Sequence, residues 1–273
     1  MLESIGEASL AVAAIRHDKA VALLGQAVRP IYRADDRGNP DHEGSCVLLQ
    51  LNGEKYMVTA SHVMEAGKIE DSELYVGGEN QFVKVTGEYL RTPAPAGILN
   101  DPYDFAVWRL SDADVADLGD VVYVGSDNIS RGQTSSDGHV YSIIGYPNTK
   151  NRSVDRNLRL ASSRRWNYFS VPRDGTKAAN VMGVSGSEHI FIGYDKHSKD
   201  STGKTVNSVG LRGVSGGAVI DLGRLTDPQA LAPDAEFTPR LVAVFIEYHR
   251  SHRVTASTKL GLILEVLEKR GHI

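Results

Sequence analysis

From Ser45 to Tyr248 the chain is a succession of short apolar runs, each closed by turn-forming residues, with no amphipathic helix of comparable length between them. That texture constrains the fold most. Runs of four to eight residues at short spacing suit an antiparallel all-β barrel or sandwich, whereas βαβ units need a helical stretch after every strand. The first runs are the clearest: 45–51 (SCVLLQL), the pair Asn52-Gly53, then 55–60 (KYMVTA). Asn-Gly between two such runs predicts a two-residue hairpin turn. Further strands are expected at 73–76, 81–90, 104–110, 121–124, 139–144, 167–171, 189–195, 217–222 and 240–248.

Helical periodicity is confined to the ends. Leu10, Ala14, Val21, Leu24 and Val28 recur at helical offsets and predict a helix over 7–29 that Pro30 terminates. The polar stretch 34–44 reads as a linker. Near the other end, Leu260, Ile263, Leu264 and Leu267 form one apolar face of a helix over about 257–270, with Lys269 and Arg270 before Gly271. The expected domains are an N-terminal helical extension and linker (1–43), a β unit (44–256) and a C-terminal helix packed on it (257–273). Segments 195–208 and 223–239 read as long loops.

Composition narrows the function classes. With 41% hydrophobic and 23% charged residues in 273, the chain buries a real core. Its 30 Lys and Arg against 34 Asp and Glu give a net charge of −4, which argues against a nucleic-acid partner. A single cysteine, Cys46, excludes an intramolecular disulfide and a cysteine-based zinc cluster. The acidic start (Glu3, Glu7) is unlike a signal peptide, and no apolar run is long enough for a membrane span, so a cytoplasmic location is expected. Residues 150–177 depart from the acidic total. Lys150, Arg152, Arg156, Arg159, Arg164, Arg165, Arg173 and Lys177 face only Asp155 and Asp174. A solvated face explains them, and a docking surface for an acidic regulatory protein is the sharper alternative.

Three short motifs carry chemistry. Gly213-Val214-Ser215-Gly216-Gly217 places a serine between glycines on a tight turn, where its hydroxyl and neighbouring N–H groups are accessible. His62 follows the strand run that ends Thr59-Ala60-Ser61, and Asp104 opens the run Phe105-Ala106-Val107. Each has a bland reading: a conformational glycine turn, a packed histidine, a strand-capping aspartate. Together they supply what a serine nucleophile needs, namely a base within reach and a carboxylate to orient that base.

These motifs, in the order His62, Asp104, Ser215, resemble the trypsin-like (chymotrypsin-fold) serine peptidases, of the bacterial type without disulfides. The resemblance covers about residues 44–248 and includes Gly145-Tyr146-Pro147 and Leu241-Val242-Ala243-Val244. It implies two six-stranded antiparallel β-barrels with a cleft between them. Ser215 would be the nucleophile, His62 the base and Asp104 the orienting carboxylate, with the backbone N–H groups of Gly213 and Ser215 as oxyanion hole. Ile246, Glu247 and Tyr248 would form the edge that binds an extended protein or peptide substrate, and Val209 the base of the specificity pocket. No cofactor or metal is implied. Val214 stands where trypsin has the aspartate that pairs with a newly cut N-terminus, so that mode of activation is not expected. Rival readings are a catalytically silent peptidase-fold binding module and an α/β-hydrolase-type esterase. The second would need Asp and His after the serine, for which Asp221, Asp227, Asp234, His249 and His252 are available, but lacks the alternating helices.

Overall fold

A computed structural model describes residues 2–273 except 35–39, 66–73, 80, 87, 93–100, 133–135, 152–153, 156–159, 162, 185, 201 and 233–234. Two antiparallel sheets dominate it. The first comprises β1 (Val28–Ala34), β2 (Pro40–Leu51), β3 (Glu54–Thr59), β4 (Leu74–Gly77), β5 (Phe82–Lys84), β6 (Tyr89–Arg91) and β7 (Ala106–Arg109), in the order β5-β4-β1-β2-β3-β7-β6. The short β8 (Val124–Gly125) adds in parallel to β2, so this sheet has eight strands rather than the six expected. The expected hairpin is β2–β3. Asn52 and Gly53 both take positive φ (51° and 86°), the conformation that a two-residue turn matching strand twist requires.

The second sheet starts with β9 (His139–Gly145). A two-stranded ribbon, β10 (Val154–Asp155) with β11 (Leu160–Ala161), precedes β12 (Trp166–Ser170) and β13 (His189–Gly193). A second ribbon, β14 (His197–Lys199) with β15 (Thr205–Asn207), precedes β16 (Ala218–Arg224), β17 (Arg240–His249) and β18 (Val254–Lys259). The six-stranded order is β12-β9-β16-β17-β18-β13. Its two edges meet through the bridge Pro172–Ile192, with Gly193 N–H donating to Val171 at 3.0 Å, and this closes the barrel. The fold is thus the expected all-β pair of chymotrypsin-type barrels with a helix at each end.

Strand alternation sorts the apolar residues into cores. Along β2, Cys46 and Leu48 join Ile31, Met57 and Trp108 in the first core. Val47, Leu49 and Leu51 face the opposite way, onto a shared core with Ile144, Ala218, Leu222 and Ile263. In β9 and β16, Tyr141, Ile143 and Val219 fill the second barrel. A strand buried on both faces reads as a continuous apolar run, which is why 45–51 stands out in sequence.

The N-terminal helix differs from expectation. α1 spans Leu2–Leu24, a single 3-10 turn follows at Gly25–Ala27, and Val28–Ala34 is strand rather than helix. Pro30 therefore lies inside β1 opposite Ser45, and the first sheet begins within the segment read as extension and linker. The buried face matches the expected one only in part: Leu24 is buried as read, but Leu10 is 56% exposed, and Ala13 and Ala20 are buried beside Arg16 and His17. Small alanines let the helix approach the second barrel closely. Arg16 reaches the carbonyls of Leu222 (2.9 Å) and Ala230 (2.8 Å), and His17 Nε2 bonds Asn167 Oδ1 at 2.9 Å.

The remaining helices are α2 (Ser61–Glu65), α3 (Asp112–Leu118), α4 (Asn148–Asn151), α5 (Thr176–Met182) and α6 (Leu260–Lys269). α6 buries Leu260, Ile263, Leu264 and Leu267, the face read from sequence. Just beyond it, the Tyr56 hydroxyl on β3 donates to the His272 carbonyl at 2.6 Å. The segment 195–208, read as a loop, holds the β14–β15 ribbon; apart from Val206 its residues are polar, so no alternation betrays it. Of the basic segment, Arg152, Arg156 and Arg159 lie outside the described residues. Arg173 pairs with Asp195 at 2.7 Å, on a half-exposed surface. No described helix is long and apolar enough to cross a membrane.

Candidate active site

β3 ends at Thr59, and α2 begins two residues later, placing His62 at the rim of the first barrel. This five-residue helix is held from behind. The buried Arg33 guanidinium donates to the carbonyls of Val63 (3.0 Å) and Met64 (2.7 Å), satisfying groups that a helix end leaves unpaired.

Asp104 precedes β7 and takes a left-handed conformation, φ 44°. This is uncommon for any residue other than glycine and turns the carboxylate toward α2. One oxygen, Oδ1, accepts the His62 backbone N–H at 2.8 Å; Oδ2 lies 2.5 Å from His62 Nδ1. The backbone contact fixes the carboxylate, and the ring contact fixes the imidazole. Burial raises the Asp104 carboxyl above its ordinary value, and its bonds to His62 oppose that rise.

Ser215 sits in the turn before β16. Gly213 (φ 91°) and Gly216 (φ 86°) flank it, and both need glycine. A Cβ on Gly213 would collide with Asn148 Oδ1, and one on Gly216 with the Ser45 carbonyl. The turn's carbonyls are anchored from outside. Asn148 N–H holds the Arg212 carbonyl at 2.8 Å, Ser45 Oγ holds that of Gly213 at 2.9 Å, and Ser45 N–H holds that of Ser215 at 2.8 Å. Since a trans peptide points its N–H away from its C=O, the anchor on Arg212 directs the Gly213 N–H away from Asn148. Among the described residues, neither the Gly213 nor the Ser215 N–H donates to a backbone carbonyl. Two unengaged N–H groups beside a serine suit a developing oxyanion.

His62, Asp104 and Ser215 meet in one cleft of about 420 Å³, also lined by Asp101, Leu211, Arg212 and Phe245, with Ile246, Glu247 and Tyr248 from β17. The Ser215 hydroxyl donates to the Ile246 carbonyl at 2.8 Å. Val209 stands apart from this lining. It is half-buried against the second core, and its carbonyl accepts the Tyr194 hydroxyl at 2.5 Å.

Sequence reasoning missed the supports. Ser45 and Thr59 are buried polar residues, and Thr59 Oγ1 donates to the Ser45 carbonyl at 2.7 Å. His42 Nδ1 bonds Asn148 Oδ1 at 2.7 Å behind Gly213. Only Asn148 had a local signal, the Gly145-Tyr146-Pro147 turn just before it. Among the described residues no group of three or more His, Cys, Asp or Glu has the arrangement to hold a metal ion.

No protein-family model matches the chain, and no curated protein matches it in sequence. Solved structures do. A serine endoprotease from Yersinia pestis superposes with a TM-score of 0.51 at 14% identity, over 93% of this chain and 65% of that one. The HtrA-type protease AlgW, solved with a tripeptide, gives 0.50 at 16% identity, over 92% and 62%. The VesB protease of Vibrio cholerae gives 0.53 at 10% identity, over 92% and 65%. This chain thus spans somewhat less than two thirds of each of these three proteins. At such identities the likeness speaks for the backbone, and the backbone of this chain is the chymotrypsin-type double barrel found in serine proteases.

Proposed function

We propose that the chain is a serine endopeptidase that cleaves a protein or peptide through an acyl-enzyme. The observation that carries this reading is the doubly bonded His62–Asp104 pair facing the cleft that holds Ser215. In the reaction, Ser215 Oγ attacks the scissile carbonyl while His62 Nε2 takes its proton. Asp104 keeps the other ring proton on Nδ1 and stabilises the imidazolium. The Gly213 and Ser215 N–H groups receive the oxyanion. His62 then protonates the leaving amine, and water, activated by the same imidazole, releases the acyl group. The reading assigns no cofactor.

Val214 is fully buried in the second core, so a zymogen switch that pairs this position with a new N-terminus has no carboxylate to use. Restraint of the enzyme, in the cytoplasmic setting that the composition suggests, would then fall to a regulatory protein. The silent-module alternative draws on one observation: the Ser215 hydroxyl is engaged by the Ile246 carbonyl. Intact mass after fluorophosphonate treatment separates the two readings. A single adduct on the wild type, absent from Ser215→Ala and His62→Ala, is the expected result. An unlabelled wild type overturns the peptidase reading.

A further inference from the structure

Among the described residues, β17 has one edge without a strand partner beside the cleft. β16 pairs with it as far as Val244, and Phe245 is held by the backbone of Gly216 and Gly217. From Glu247 onward the ladder continues on the β18 side, as Glu247–Ala256, Tyr248–Thr255 and His249–Val254. The register shifts between Phe245 and Glu247, so Ile246 is an extra residue. Such a bulge re-aims the backbone, and here the Ile246 carbonyl meets Ser215 Oγ. An extended chain entering the cleft has this free edge to pair with. In an antiparallel pairing the residue presenting its carbonyl to Ser215 lies beside Ile246, and the residue before it lies opposite Glu247. Directly opposed side chains in such a pair stand about 4.5–5.5 Å apart at Cβ.

Glu247 is equipped for a charged neighbour there. Its side chain is 42% exposed and lines the cleft. Oε1 lies 3.1 Å from Nε2 of the largely buried His249, a close contact without hydrogen-bond alignment. Among the described residues Oε2 has no partner. The titratable groups around it are His249 on β17, His62 on α2 and His189 on β13; contact with His249, which outweighs burial, holds the Glu247 carboxyl below its ordinary value. Tyr248, the next residue, turns its side chain to the other face of β17, where Tyr194 packs edge-on against its ring and the Tyr194 carbonyl accepts its hydroxyl at 3.2 Å. A half-exposed carboxylate on a strand edge suits a long cationic side chain on the facing residue of a paired chain.

Resting on the peptidase reading above, we infer that Glu247 reads the substrate: the cleaved segment carries a lysine or arginine immediately before the residue acylated on Ser215. This preference is set by the edge strand, apart from whatever pocket receives the acylated residue itself.

The test is cleavage of a peptide library by wild type, Glu247→Gln and Glu247→Lys, read by mass spectrometry. Wild type should favour Lys or Arg at that position by about tenfold over norleucine, the size of one charge-assisted contact. Glu247→Gln should lose the preference, and Glu247→Lys should turn it toward Asp and Glu. A preference absent, placed elsewhere, or retained in Glu247→Gln overturns the inference. If wild type takes up fluorophosphonate, such a failure leaves the peptidase reading standing. If it does not, Ser215→Ala protein is titrated with a lysine peptide and its norleucine counterpart by calorimetry. Tighter binding of the lysine peptide, abolished by adding Glu247→Gln, supports Glu247 as the reader of a bound chain even where the peptidase reading has fallen; equal or undetectable binding of both overturns it.

Discussion

Ser45 in the first barrel holds Ser215 in the second: its backbone N–H donates to the Ser215 carbonyl at 2.8 Å. Its hydroxyl donates to the Gly213 carbonyl and accepts the Tyr146 N–H, both at 2.9 Å. Ser45 is fully buried, so no water substitutes for these bonds. Ser45→Ala should therefore strand a buried acceptor and a buried donor, lowering stability by about 1–3 kcal/mol. It should also slow fluorophosphonate labelling, because the turn loses an anchor. Urea unfolding and labelling rate, measured on the same preparation, check both effects; unchanged values would mean the turn is held by its glycines alone.

Gly213 is irreplaceable on two grounds, a φ of 91° and the side chains of Asn148 and His42 packed where a Cβ would go. In Gly213→Ala the peptide must rotate, carrying one oxyanion donor out of place. Labelling and peptide cleavage should fall about 10²–10³-fold, the usual effect of one lost donor. Circular dichroism should show the barrels intact.

Asp104→Asn should separate activity from stability. The amide presents an N–H to His62 Nδ1 and forces the wrong ring tautomer, so cleavage should drop by about 10⁴-fold. Stability should move the other way. Because burial raises the Asp104 carboxyl, the native state keeps its proton over a range where the unfolded chain, at its ordinary value near 3.8, has released it. The carboxyl's contribution to stability is complete below that value and declines as pH rises through the native value. The advantage of Asn over Asp should thus grow with pH and then level off, as urea midpoints across the acid range would report.

Three buried histidines give the opposite slope. Burial lowers His17, His42 and His189 below their ordinary value of 6.5. The native rings stay neutral while the unfolded chain takes up protons, so their stability is present above 6.5 and is lost as pH falls toward the native values. Unfolding midpoints should decrease from about pH 7 downward. His42→Gln, which keeps an amide contact to Asn148, should flatten part of the slope; an identical profile in the variant would remove His42 from the account.

Much of this was legible because local pattern and tertiary role coincide. Asn52-Gly53 needs only its own backbone to make a hairpin, and Leu260, Ile263, Leu264 and Leu267 show the helical period that they use. His62, Asp104 and Ser215 were visible through the company they keep in sequence. By contrast, Val28–Ala34 adjoins a helix and contains Arg29, Pro30 and Arg33; it becomes a strand through β2 and β4 on either side. Ser45, His42 and Arg33 left no trace either. A serine within an apolar strand or an arginine behind a short helix acquires its role only when distant backbone atoms arrive.

The two ends of the chain are crossed over. α1 lies against β9, β12 and β16 of the second barrel, yet leads directly into β1 of the first. At the far end, the tail after α6 returns from the second barrel to Tyr56 of the first. Each half is therefore clasped by a piece that the other half supplies or receives, and neither is a self-sufficient stretch of sequence. A nick in the segment between β8 and β9 would leave two fragments that stay associated, and the intact chain should melt in one cooperative step rather than half by half.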